Sequence, residues 1–311
     1  MLEILFRSLA GILGRSGRRP AQMIASGLAG LIYGIYRLSP YRDFIAGNIR
    51  AALPQADADA LAQTHLRLLL WAIVDLLRFR RFGSAPVLPP EVTVTGWEHF
   101  EAAHALGRGV ILVSAHFGCW ELIPACIGLR GLPVTVLVQK PSQDAFDRLF
   151  REFRAFAGVR TLNNDSLAGL RPVLRSLRRG ETVGLVIDQH GESERLIGHF
   201  FGHRVSMPEG PAFLAGHLAT PIVPVLTRWR GSRHVLEFFP ALEARGAQTD
   251  QQAELMQRIY DWLEAQIRRY PENWLWSYNR WDKLRDKGRG ARDEGGNEVG
   301  TEAARGEGGG L

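Results

Sequence analysis

Two cysteines in 311 residues, Cys119 and Cys126, are too few to frame a disulfide-stapled fold. Long apolar runs are missing too. A mostly apolar stretch, residues 22–38, falls short of the roughly 20 residues that cross a bilayer, and the composition excludes a polytopic membrane protein. Acid is in short supply: 32 Asp and Glu stand against 38 Lys and Arg, for a formal charge of +6. From Arg285 onward the sequence holds five basic and six acidic residues, so the surplus positive charge sits in the body of the chain. A basic body favours an acidic partner: a membrane surface, a phosphorylated substrate, an acidic carrier protein or nucleic acid. What the chain does have is 46% hydrophobic residues, enough to build a core and to exclude a disordered protein.

Along the chain, Arg15, Arg18 and Arg19 precede the 22–38 stretch, Arg37 and Arg42 close it, and Tyr33 and Tyr36 stand where interfacial aromatics would lie. Residues 1–42 are therefore expected to form an N-terminal helical region that associates with a membrane. Residues 43–84 read as helical. After Pro86, Pro89 and Pro90, short β-branched runs (110–114, 134–138, 183–187, 222–226 and 235–239) alternate with amphipathic stretches at 143–157, 166–179, 209–218 and 250–270. That alternation predicts an α/β fold with a mostly parallel central sheet flanked by helices, spanning 43–284. The glycine-rich segment 285–311 contains no aromatic residue and is expected to be a disordered tail.

The sharpest chemical element is Val110-Ile-Leu-Val-Ser-Ala-His116-Phe-Gly-Cys-Trp-Glu121. Residues five apart on a regular helix are turned about 140° from each other. His116 and Glu121 therefore share a pocket only if His116 closes the strand and Glu121 opens the following helix. Open α/β sheets place their sites at that end of the strands. An imidazole beside a carboxylate is general-base equipment, and Glu121 is expected to orient the His116 ring. Downstream, Arg148, Arg151 and Arg154 recur every three residues, Asp188 ends another apolar run, and Pro208-Glu209-Gly210-Pro211 leads into a helix whose amides suit an anion.

Taken together, Asn48-Ile-Arg50, His116-Phe-Gly-Cys-Trp-Glu121, Lys140-Pro141, Arg154, Asp188-Gln189, Phe200-Phe-Gly202, Gly210-Pro211-Ala212 and Pro271-Glu272-Asn-Trp274 make a recognisable set. The chain resembles the bacterial lipid A late acyltransferases of lauroyl/myristoyl type, within the HX4D/E glycerolipid acyltransferase superfamily. The resemblance implies transfer of a fatty acyl chain from a thioester, of acyl carrier protein or of coenzyme A, to a hydroxyl of a glycolipid at the cytoplasmic face of a bacterial inner membrane. It implies His116 as base and Glu121 as its partner, with Arg154, Lys140, Asp188, Glu209 and Gly210 binding substrate. Neither metal nor cofactor is required.

This sequence departs from the family pattern where Lys140 stands for an arginine, and where Glu209 replaces a small hydroxyl residue. The second departure looks more like the glycerol-phosphate acyltransferases and leaves lysophospholipid acceptors open. Two readings compete, a zinc hydrolase and a catalytically inactive membrane scaffold that keeps the fold, the second opposed by an intact His116, Glu121 and Arg154. A zinc hydrolase would draw on His116, Cys119, His199 and His203. A nucleic-acid binder would interleave aromatics with its basic stretches, whereas here those stretches border apolar helices.

Overall fold

The computed structural model describes residues 11–12, 16–39, 42–79, 88–138, 144–163, 167–191, 195–278 and 280–281. The chain divides into Met1–Arg280 and Trp281–Leu311. The expected tail, 285–311, lies outside the described residues.

Among the described residues, helices α1 (Arg18–Leu38), α2 (Arg42–Ala52) and α3 (Ala58–Phe79) precede the sheet. Helix α1 buries a stripe of small residues, Ala21, Ala25 and Ala29, with Tyr33 continuing it. The four-residue spacing keeps them on one face, and Ala21 and Ala25 pack with Val74 of α3. The outer face of α1 exposes Met23, Leu31, Ile35 and Leu38. Among the described residues, the helix long and apolar enough to cross a membrane is α3, not the 22–38 stretch. It is also a packed helix: Leu68, Ala72, Leu76 and Phe79 join the main core, while Trp71 bonds Ser26 of α1.

A seven-stranded sheet follows, built from β1 (Val92–Thr95), β2 (Val110–Ser114), β3 (Val134–Val138), β4 (Val159–Asn163), β5 (Thr182–Val186), β8 (Ile222–Arg230) and β9 (Arg233–Phe238) in the order β1-β9-β8-β2-β5-β3-β4. Its neighbours pair in parallel except β8 and β9, which form an antiparallel hairpin. Strand β2 is central and buried along its whole length. That is why it reads as a continuous apolar run instead of an alternation. Helices α4 (Trp97–His104), α5 (Leu122–Gly128), α6 (Asp144–Phe156), α7 (Leu167–Arg178), α8 (Gly210–Leu218) and α9 (Thr249–Arg269) flank it.

A separate antiparallel pair, β6 (Ile197–Phe200) and β7 (His203–Ser206), turns through Phe201 and Gly202, both at positive φ. This is the conformation that two-residue hairpin turns demand. Phe201 tolerates it because Glu264 accepts its backbone N–H and Arg268 covers its ring.

A half-buried ionic junction joins the layers. Asp75 of α3 accepts from Arg18 of α1 at 2.8 Å and from His234 of β9 at 2.9 Å.

Candidate active site

Strand β2 ends at Ser114, and the chain then makes a tight bend. Gly118 sits at φ +57°, and a Cβ there would stand 2.3 Å from the carbonyl oxygen of Thr227. Only glycine permits that approach. The bend is strapped from outside by the segment after α9: Gly118 N–H donates to Asn273, Leu275 N–H donates to His116, and Phe117 bridges Trp274. His116 is held at its backbone on both sides before its ring does any chemistry.

The ring's partner is Asp188. Register explains why. Strands β2 and β5 are parallel neighbours with Ser114 opposite Val186, so two residues further on His116 meets Asp188. His116 Nδ1 lies 2.8 Å from Asp188 Oδ1, and the His116 backbone N–H donates to Oδ2 at 3.0 Å. Trp274 Nε1 donates to the same Oδ2 at 2.9 Å. Burial penalises the imidazolium, but the Asp188 charge and hydrogen bond, with Glu121 adding to them, outweigh it and hold His116 above its ordinary pKa. Burial likewise opposes the Asp188 carboxylate, yet His116 and the indole hold it below the usual range. An ionised Asp188 only accepts, so Nδ1 carries the proton and Nε2 of the neutral ring is basic. The Trp120 ring meets the imidazole edge-on at 5.0 Å.

Glu121 takes another partner. It stands at the start of α5, and its two oxygens accept from Arg154 Nε at 2.8 Å and Nη2 at 2.5 Å, both side chains buried. The expectation that Glu121 orients the ring by hydrogen bonding is thus corrected: Asp188 holds His116, and Glu121 acts on it only as a nearby charge. Arg154 was expected to face a substrate anion, but its fork is closed on Glu121. The expected arginine face of α6 also divides, since Arg151 is exposed while Arg154 turns inward.

His116, Glu121 and Arg154 line one cavity of about 720 Å³. Its walls are mostly apolar, from Leu112 of β2, Val136 of β3, Phe150 of α6, Val173 of α7 and Leu214 of α8. Glu209 and Gly210 stand at its rim, with Glu209 paired to Arg195 at 3.0 Å. Lys140 lies outside the described residues.

Sequence reasoning missed the role of Trp274. The sequence placed it only within a family-like motif, whereas its indole is the polar cap on Asp188. A tryptophan shortly after an amphipathic helix carries no local signal of that. The zinc ligand set does not assemble: among the described residues no three His, Cys, Asp or Glu side chains gather as a metal site. Cys119 and Cys126 are buried, and His203 donates to the Ala51 carbonyl from the β6–β7 hairpin.

Comparison with known proteins bears on this geometry. A family model described as bacterial lipid A biosynthesis acyltransferase matches residues 12–283. The phosphatidylinositol mannoside acyltransferase of Mycobacterium tuberculosis is 24% identical over 192 residues, covering 60% of this chain and 59% of that one. The lipid A biosynthesis acyltransferase of Haemophilus influenzae is 22% identical over 185 residues, 58% of this chain and 56% of its own. The lipid A biosynthesis palmitoleoyltransferase of Escherichia coli is 24% identical over 191 residues, 60% of each. The chain thus spans about three-fifths of these relatives' length. With the family model running from before α1 past the strap at Trp274, over most of the chain, the chain belongs to the bacterial lipid A biosynthesis acyltransferase family.

Proposed function

We propose that this protein is an O-acyltransferase that moves a fatty acyl chain from a thioester to a sugar hydroxyl of a membrane glycolipid. The observation that carries the reading is the Trp274–Asp188–His116 relay placed beside a large, mostly apolar cavity. Nε2 of His116 takes the proton of the acceptor hydroxyl, whose oxygen attacks the thioester carbonyl. The tetrahedral intermediate collapses, the C–S bond breaks, and the imidazolium returns its proton to the departing thiolate. Asp188 stabilises the imidazolium in between. No covalent acyl-enzyme is needed. Glu121 and Arg154 form a buried ion pair that fixes the cavity wall beside the ring, the Glu121 carboxylate adding negative potential toward it.

A cavity of about 720 Å³ falls within the range of ligand pockets, roughly 300–1,000 Å³, and its apolar wall suits an alkyl chain. Lipid A precursors and phosphatidylinositol mannosides, named for the relatives above, share a sugar hydroxyl on a lipid anchor, so the acceptor class is a glycolipid. The donor is proposed to be an acyl carrier protein thioester. The apolar outer face of α1 rests on the cytoplasmic leaflet of the inner membrane, with Arg19 and Arg37 beside the headgroups.

The test is transfer of labelled acyl chains from a carrier thioester to a panel of glycolipids and lysophospholipids, with wild type and His116→Ala. Loss of the general base lowers turnover about 10²–10⁴-fold while the fold is kept. Full turnover by His116→Ala rejects the mechanism, and transfer to lysophospholipids alone rejects the acceptor class.

A further inference from the structure

The far end of the β8–β9 hairpin carries a basic concavity that the chemistry above does not use. Arg230 and Arg233 face each other directly across the antiparallel ladder, and Arg228 lies opposite Val235, itself beside Thr93 of β1. Paired and alternate positions share a face. The three guanidiniums therefore stand together with Thr93 and Thr95 around a hollow of about 320 Å³. Arg230 and Arg233 are exposed. Like charges directly opposite on a ladder are destabilising, so the pairing costs stability unless something acidic covers it. Within the chain, Arg228 is met by Glu237 at 3.5 Å and stacks on Tyr270 at 4.5 Å.

Position narrows the partner. Strand β8 runs parallel to β2 with Val113 opposite Pro224. Arg230 lies six residues further on, about 20 Å at roughly 3.3 Å per residue, at the end of the sheet where His116 sits. The alternate residues of the same hairpin, Trp229 and His234, point to the opposite face, against Trp71 and Asp75 of α3. Helix α1, with its exposed apolar side, packs against α3 on that same face, its Arg18 reaching the Trp229 ring at 6.0 Å. A membrane touching α1 thus lies on the side of the sheet away from the arginines. A soluble acidic partner fits this hollow better than a lipid headgroup does.

We infer that the Arg228–Arg230–Arg233 face is the docking surface for the acidic carrier protein that delivers the acyl thioester. The carrier's carboxylates settle on the arginines while its thioester arm passes over the sheet end to His116. This rests on the thioester-donor reading above.

The test compares two donors, an acyl carrier protein thioester and the N-acetylcysteamine thioester of the same chain, which has no protein to dock. In Arg230→Glu/Arg233→Glu the KM for the carrier donor rises about tenfold or more at low salt, within the range that electrostatic steering supplies. The kcat stays near wild type, the small thioester is used normally, and the difference shrinks as added salt screens the charges. Unchanged KM for the carrier overturns the inference. So does an equal loss with both donors in this variant and in the milder Arg233→Gln, which would assign the arginines to the fold. Weakened binding to anionic vesicles with carrier kinetics intact would make the hollow a headgroup site and also overturn it. Wild type inert toward both thioesters removes the acyl-transfer reading itself, and the docking surface with it.

Discussion

At the scale of single residues, His116 and Asp188 share one charge economy. Because Asp188 holds the imidazolium, the neutral base forms only above a raised pKa. Turnover therefore falls as pH drops, with a midpoint above the ordinary histidine value of about 6.5. Asp188→Asn removes the charge and moves that acid limb to lower pH while also lowering the maximal rate; pH–rate profiles of both proteins measure it. An unmoved limb would mean that another group titrates. The stability signs follow too. The raised His116 pKa contributes stability fully present below its unfolded value and lost as pH rises through the folded one. The depressed Asp188 pKa contributes stability lost as pH falls. Gly184 matters for the opposite reason, having no side chain. It lies between Leu112 and Val136 in one row across β2, β5 and β3, lining the cavity, and a Cβ there would stand 3.2 Å from Val136 Cγ1. Gly184→Val fills the cavity and shortens the preferred acyl chain, while Val136→Ala lengthens it. Product chain lengths from a mixed-donor assay check both directions.

At the scale of elements, β2 was legible because a strand covered on both faces is apolar throughout, and α9 because its amphipathic period is long. The strands β1, β4 and the β6–β7 hairpin escaped. Val159-Arg-Thr-Leu-Asn163 is an edge strand with alternating polar residues, and the turn at Phe201 hides in an aromatic pair. The site was half legible for a related reason. Spacing placed His116 and Glu121 at one strand end, but the identity of the ring's partner depends on β5 lying beside β2, a fact of strand order and not of local sequence. Helix α1 yields a prediction of its own. Its inner stripe is satisfied by α3, so replacing exposed Leu31 and Ile35 by glutamate leaves the fold intact. Apolar transfer of about 1.5–3 kcal/mol per large side chain and repulsion from anionic lipid together weaken vesicle binding by at least tenfold. Co-sedimentation measures it, and undiminished binding would remove α1 from the membrane contact.

At the scale of the whole molecule, sequence-distant segments close on one another around the bend after β2. Arg280, fully buried, donates to the Ser206 carbonyl, to Tyr260 and to His190. Asn48 of α2 donates to the carbonyls of Trp276 and Tyr278. Trp274 reaches Asp188 from the same stretch. This stretch closes the circuit around the base, and that has a temporal side. A chain emerging from the ribosome shows its imidazole and aspartate long before residue 274 exists. Until that stretch threads between α2 and the sheet, the carboxylate lacks its indole and the bend its outer strap. Birth order thus delays the site: the Asp188–Trp274 contact can close only once the segment after α9 has been made.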